Sequence, residues 1–377
     1  MRTRILRAVS AMAISLALMA QADAQTPLPP PYNYDEPLPA APRPAPAPQD
    51  MRLGAGKQTY RMPVYANRKL AGPLDDVRRV VVMLPDDRGD ADRHYQHIDT
   101  LLQRDAERRA DTLVLALEFP GVVDTGHAGR PAWRKAAWQN GGLSVRASGR
   151  PGPVGAFQVL DDLLGWLADR QRLPMLAQVV LAGHSGGAQL LQRYAILNNA
   201  DGPLRQAGLE IRYVIANAPS YLYLGNERPR RRGAGFEPYE RGICPTYNQY
   251  PYGPQNLPPY AAGADPASLF VRYARRDVVY LLGSADTNPE AHGLDQRCGA
   301  EAQGSTRLSR GQGYLRYDRL LASRGARQQV LRHEHQQVAG VGHDAGAMFG
   351  SLCGTRALLG DAARVGPQAA TCRPVDP

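Results

Sequence analysis

From residue 80 onward the chain alternates short apolar runs with stretches of helical periodicity. Residues 80–84, 112–117, 178–182, 211–216 and 278–282 are almost uninterruptedly apolar. A strand covered on both faces needs no polar alternate position, so runs of this length predict strands of a parallel sheet. A more polar segment at 329–338 predicts one further strand. Between the runs, Val159, Leu160, Leu163, Leu164 and Leu167 fall on one stripe with Asp161, Asp162 and Asp169 off it, which is the pattern of an amphipathic helix. A second helix is predicted from about 188 to 198. Strands alternating with helices predict an α/β fold with a doubly wound, mostly parallel sheet, whose ligands bind beyond the C-terminal ends of the strands.

The N-terminus has a different pattern. Arg2, Arg4 and Arg7 precede an uncharged run over 8–20, and Ala22-Asp23-Ala24 follows with the small-x-small form of a cleavage site. This predicts a signal peptide over 1–24 and export to the periplasm or beyond, with no stable membrane insertion once the segment is removed. Residues 25–56 are rich in proline, which fixes φ and removes a donor, and predict a flexible, extended linker.

Composition narrows the classes of partner. With 43% hydrophobic and 21% charged residues among 377, the chain can bury a sizeable core. The formal net charge of +10 carries only three lysines, and the arginines are scattered, not banded, so a nucleic-acid partner is not expected. Four cysteines in an exported chain predict two disulfides, with three possible pairings. Proximity in sequence favours Cys244 with Cys298 and Cys353 with Cys372, and no cysteine pair has the close spacing of a metal site.

At the end of the third apolar run stands Gly183-His184-Ser185-Gly186-Gly187. A strand running into this motif with a helix directly after it predicts a sharp turn that thrusts the Ser185 hydroxyl into the open. The Gly186 N–H, at the helix N-terminus, is placed to stabilise an oxyanion. Serine needs a base, and the base needs an orienting acid. Asp286 follows the 278–282 run through Gly283-Ser284-Ala285, and His343 lies in the glycine-flanked loop Gly340-Val341-Gly342 after the last predicted strand. The three follow one another in the chain as nucleophile, acid and histidine, each after the end of a predicted strand. Asp295 is the competing acid. His333 and His335 share one face of the last strand, and with no third ligand evident they read as solvated strand residues rather than a metal pair.

On these residues the chain resembles the α/β-hydrolase superfamily, and more narrowly secreted bacterial serine hydrolases related to polyhydroxyalkanoate-depolymerase-like and feruloyl-esterase-like proteins. Segments 80–92, 183–194, 217–223, 282–286 and 340–349 carry the likeness. It implies a triad of Ser185, Asp286 and His343 in a hydrolase domain over 57–377. One departure concerns the oxyanion hole. Where such proteins often carry His-Gly after the corresponding strand, this chain has Leu84-Pro85-Asp86-Asp87-Arg88-Gly89. The Asp87 N–H is the expected second donor, with Asp86 N–H as its rival. Two carboxylates beside a developing negative charge are repulsive unless Arg88 or solvent neutralises them.

Residues 220–274 are long for a strand connection and predict a lid, rich in tyrosine and proline. Tyr221, Tyr223 and Trp138 are the expected substrate contacts, and Arg228, Arg230, Arg231 and Arg232 form a basic run that reads as a solvated loop, with attraction of anionic substrates or envelope surfaces as the alternative. The function implied is an exported serine hydrolase acting on small-molecule or polymeric carboxylic esters through an acyl-enzyme, with no cofactor or metal. The alternatives are an amidase or peptidase with the same triad, and a non-catalytic envelope or carbohydrate-binding protein on the same fold.

Overall fold

Each central apolar run becomes a strand in the computed structural model, which describes residues 45–375 except 87–89, 231–234, 241, 325–329 and 368. The predicted signal peptide and most of the predicted proline-rich linker lie outside the described residues. The strands are β1 (Gln49–Leu53), β2 (Tyr60–Ala66), β3 (Arg79–Leu84), β4 (Thr112–Leu117), β5 (Gln178–His184), β6 (Glu210–Ala216), β7 (Glu227–Pro229), β8 (Phe236–Pro238), β9 (Asp277–Gly283), β10 (His333–Val338) and β11 (Cys372–Pro374). All but β7 and β8, which pair with each other, join one sheet in the order β1-β2-β4-β3-β5-β6-β9-β10-β11. From β4 to β10 the neighbours are parallel, and the antiparallel strands lie at the two edges.

The helices are α1 (Ala91–Gln103), α2 (Ala106–Asp111), α3 (Ala156–Leu167), α4 (Ser185–Leu197), α5 (Asp201–Gln206), α6 (Pro266–Ala274), α7 (Cys298–Glu301), α8 (Arg307–Arg324), α9 (Ala345–Gly350) and α10 (Leu352–Leu359). Strand residues alternate between two cores. Val80, Val82 and Leu84 of β3 pack with α3, α4, α6 and α8, whereas Val81 and Met83 pack with α1, α9 and α10. Both faces of the sheet are therefore covered, which is why these strands read as continuous apolar runs.

The edges differ from expectation. The linker predicted to run to residue 56 is already a strand at Gln49, which pairs with Val64 of β2. Neither β1 nor β2 is an apolar run. Each alternates between buried and exposed positions along part of its length, as an edge strand does.

Cysteines and arginines fasten the irregular parts. Disulfides join Cys244 to Cys298 and Cys353 to Cys372, the second tying β11 to α10. Arg193, Arg228, Arg276 and Arg310 are buried and donate to backbone carbonyls. Arg310 reaches Pro219 O and Asp295 O, Arg228 reaches Tyr247 O and Tyr252 O, and Arg276 reaches Asn198 O. Arg193 bridges Gln139 O, Pro251 O and Ser220 Oγ.

The two disulfides close loops of different length, 54 and 19 positions apart. Loop-closure entropy then predicts that replacing Cys244 and Cys298 by serine costs about 4 kcal/mol, against about 3 kcal/mol for Cys353 and Cys372. Denaturant unfolding of the two double variants measures that order.

Candidate active site

The site is built where β5 turns into α4. Ser185, the first residue of α4, has φ +48°, a conformation costly for a residue with a Cβ. The turn closes only because its neighbours lack side chains. A Cβ at Gly183 would lie 2.4 Å from Gly187 C, and one at Gly186 would lie 1.8 Å from Asp86 O.

Two loops at the same end of the sheet meet this turn. The loop after β9 carries Asp286, and the loop between β10 and α9 carries His343. His343 Nε2 lies 3.0 Å from Ser185 Oγ, and its Nδ1 lies 2.9 Å from Asp286 Oδ2. With the proton on Nδ1, the imidazole donates to the carboxylate and accepts from the serine hydroxyl. Burial lowers the pKa of His343 below the ordinary histidine value; Asp286 pulls it back up, while His184 and Arg307 add to the lowering. Behind Asp286 stands the fully buried Arg307, with Nη1 3.6 Å from Oδ1. Asp295, the competing acid, is instead held by Arg297 and the Tyr252 hydroxyl.

Asn217 joins the two loops. It follows β6 with φ +47° and is buried. Its Oδ1 accepts from Gly283 N at 2.8 Å, at the root of the Asp286 loop, and its Nδ2 donates to Gly342 O at 3.1 Å, beside His343.

The turn after β3 resolves the question of its carboxylates in part. Asp86 points to two histidines, with Oδ2 3.0 Å from His184 Nδ1 and Oδ1 3.2 Å from His94 Nε2. Burial would raise its pKa, but the two rings outweigh this and hold Asp86 well below the usual carboxylate range. The Asp86 N–H donates to Asp90 Oδ1 at 3.0 Å, so it is already engaged. Asp87 and Arg88 lie outside the described residues. Gln139, which the sequence did not single out, donates from Nε2 to Asp86 O at 3.1 Å and fixes the turn against Gly186. His184 in turn packs its ring 4.4 Å from that of His343.

Ser185 and Gly186 open into a cleft of about 800 Å³ walled by Phe119, Trp133 and Trp138, with Val122, Val123, Lys135 and Leu294 also lining it. Trp138, an expected contact, stacks on Phe119 at 4.9 Å. Phe119 lies just beyond the end of β4, so the strand-end rule gives a signal for it. Tyr221 and Tyr223 are a correction. Both are fully buried and pack with Tyr314 and Tyr317 of α8, so neither faces the cleft. His333 and His335 are a second correction, since their side chains are buried against Asp318 of α8 and not solvated.

No family model matches this sequence, and no curated protein matches it. Among solved structures, LpqC, a poly(3-hydroxybutyrate) depolymerase from Bordetella parapertussis, aligns with TM-score 0.57 and 19% identity over 85% of this chain and 92% of its own. Poly(aspartic acid) hydrolase-1 from Sphingomonas sp. KT-1 aligns with TM-score 0.54 and 19% identity over 81% of this chain and 96% of its own. The mostly parallel sheet, its flanking helices and these likenesses define the α/β-hydrolase fold.

Asn217→Ala strands a buried donor and acceptor in a left-handed residue, and is expected to cost about 2–4 kcal/mol. Asn217→Gly loses the same hydrogen bonds without the steric penalty and is expected to be about 1 kcal/mol the more stable of the two. Urea denaturation of both variants checks the order.

Proposed function

We propose that the protein is an exported serine hydrolase that cleaves carboxylic esters, with Ser185 as nucleophile, His343 as base and Asp286 as its orienting acid. The carrying observation is the imidazole of His343 within hydrogen-bond distance of both Ser185 Oγ and Asp286 Oδ2. Ser185 attacks the ester carbonyl while His343 takes its proton and then delivers it to the leaving alcohol. Water repeats the cycle on the acyl-enzyme. Gly186 N–H is one oxyanion donor, and the N–H of Asp87 is the second in this reading.

The aromatic wall of Phe119 and Trp138 suits an apolar acyl or aromatic group. Ester chemistry is supported by the depolymerase neighbour, whose named substrate is a polyester. The neighbour named for poly(aspartic acid), an amide-linked polymer, supports amide cleavage as the second reading. Export is supported by the leader-like N-terminus and by two disulfides, which persist in oxidising compartments.

A fluorophosphonate probe is expected to label the protein, and Ser185→Ala to abolish labelling and lower turnover on the order of 10⁶-fold. A folded wild-type chain that resists the probe would instead favour a non-catalytic binder. Asp286→Asn is expected to lower kcat roughly 10⁴-fold by favouring the wrong histidine tautomer. Ester and amide substrates sharing one acyl group separate the two hydrolytic readings.

The base must be neutral to act, and the pKa of His343 is lowered from 6.5. Activity should therefore persist below that value, with the acidic limb of the kcat/KM profile centred under pH 6.5. A limb centred above it would contradict the burial of the imidazole.

A further inference from the structure

His333 and His335 are two positions apart on β10, so both rings lie on one face of the sheet. The fold brings a third side chain able to bind a metal to that face from the preceding helix, 15 positions before His333. Asp318, on α8, places Oδ2 2.6 Å from His333 Nδ1 and 3.6 Å from His335 Nε2. The three side chains are 0–3% exposed.

The hydrogen bonding of this cluster does not close. His333 Nε2 lies 2.9 Å from Tyr273 O, a carbonyl that only accepts, so Nε2 carries a proton. With a second proton on Nδ1 the ring donates to Asp318 Oδ2, and a metal ion at that nitrogen would take the place of that proton. Asp318 Oδ1 and His335 Nε2 are both buried without a hydrogen-bond partner among the described residues. A buried polar atom left in this way takes a water or an ion as its partner, and two imidazoles converging on a carboxylate favour the ion.

We propose that Asp318, His333 and His335 bind a first-row transition-metal dication, with Zn²⁺ the expected occupant, and that the ion clips α8 to β10. Two imidazoles and one carboxylate are a donor set suited to Zn²⁺. The ion takes the Nδ1 lone pair of His333 and gives the stranded atoms of His335 and Asp318 a partner. The bond from His333 Nε2 to the Tyr273 carbonyl is the outer contact that holds a metal-ligating ring in one tautomer. His333 sits at the start of β10, opposite Val278 of β9, whereas His343 lies beyond the strand's other end. The ion therefore braces the fold away from the Ser185 cleft.

The test uses the full chain purified without a histidine tag. Elemental analysis is expected to find about one Zn²⁺ per chain. Chelation should lower the Tm, and added Zn²⁺ should restore it; Co²⁺ in the stripped protein should give visible ligand-field absorption. Asp318→Asn and His335→Gln should each weaken Zn²⁺ binding by roughly 100-fold or more. His343→Ala, which removes the imidazole beside Ser185, should leave it unchanged. A wild-type chain that neither retains nor regains Zn²⁺, Co²⁺, Ni²⁺ or Cu²⁺ overturns the proposal, leaving a buried imidazolium–carboxylate pair. Undiminished binding in Asp318→Asn and His335→Gln overturns it as well, as does loss in His343→Ala alone.

Discussion

The close approach of backbone to backbone at the β5–α4 turn is the constraint on which the rest of the site depends. Ser185 is held in a left-handed conformation because strand and helix meet there with no room for a Cβ on Gly183, and Asp86 O presses against Gly186 in the same way. A turn this tight fixes the serine oxygen against the scaffold. The remaining task falls to the loops that must deliver an imidazole and a carboxylate to it. Asn217, also left-handed, ties those loops together, so one strained residue positions the hydroxyl and another positions its partners.

The charge distribution around this turn follows from one substitution of pattern. An aspartate at position 86 would oppose negative charge developing nearby, but His94 and His184 draw its carboxylate to themselves. Burial works against protonating His94, yet Asp86 and Asp90 beside it prevail and raise its pKa. The same arrangement brings His184 against the ring of His343, whose pKa burial lowers first and this neighbour lowers further.

The middle of the sheet is legible in the sequence because strands buried on both faces leave continuous apolar runs. Ser185, Asp286 and His343 are reachable for a related reason, since each lies just past the end of such a strand. The edges are less legible, because β1 and β2 bury only some of their positions and Pro63 interrupts the second. The helix α8 has no apolar stripe to find. Arg307, Arg310 and Asp318 are among the residues it turns inward, so its buried face is partly polar. Contacts such as Asp86 with His94 and His184, or Asp318 with His333 and His335, depend on which elements the fold brings together and have no local sequence signature. Tyr221 and Tyr223 show the converse. A cluster of tyrosines suggests a binding surface, but here the rings of Tyr221 and Tyr223 pack on Tyr314 and Tyr317 of α8.

The long connection between β6 and β9 has little sheet or helix to engage its carbonyls, and buried guanidinium groups take that role. Arg193, Arg228 and Arg310 each span carbonyls from separate stretches of chain, as a ladder of amides would in regular structure. A guanidinium stays charged at any pH a living cell meets, unlike the imidazole–carboxylate ties around Asp86. These arginine ties are thus insulated from acidification, whereas the carboxylates that hold the connection's Tyr252 and Tyr260 hydroxyls are not.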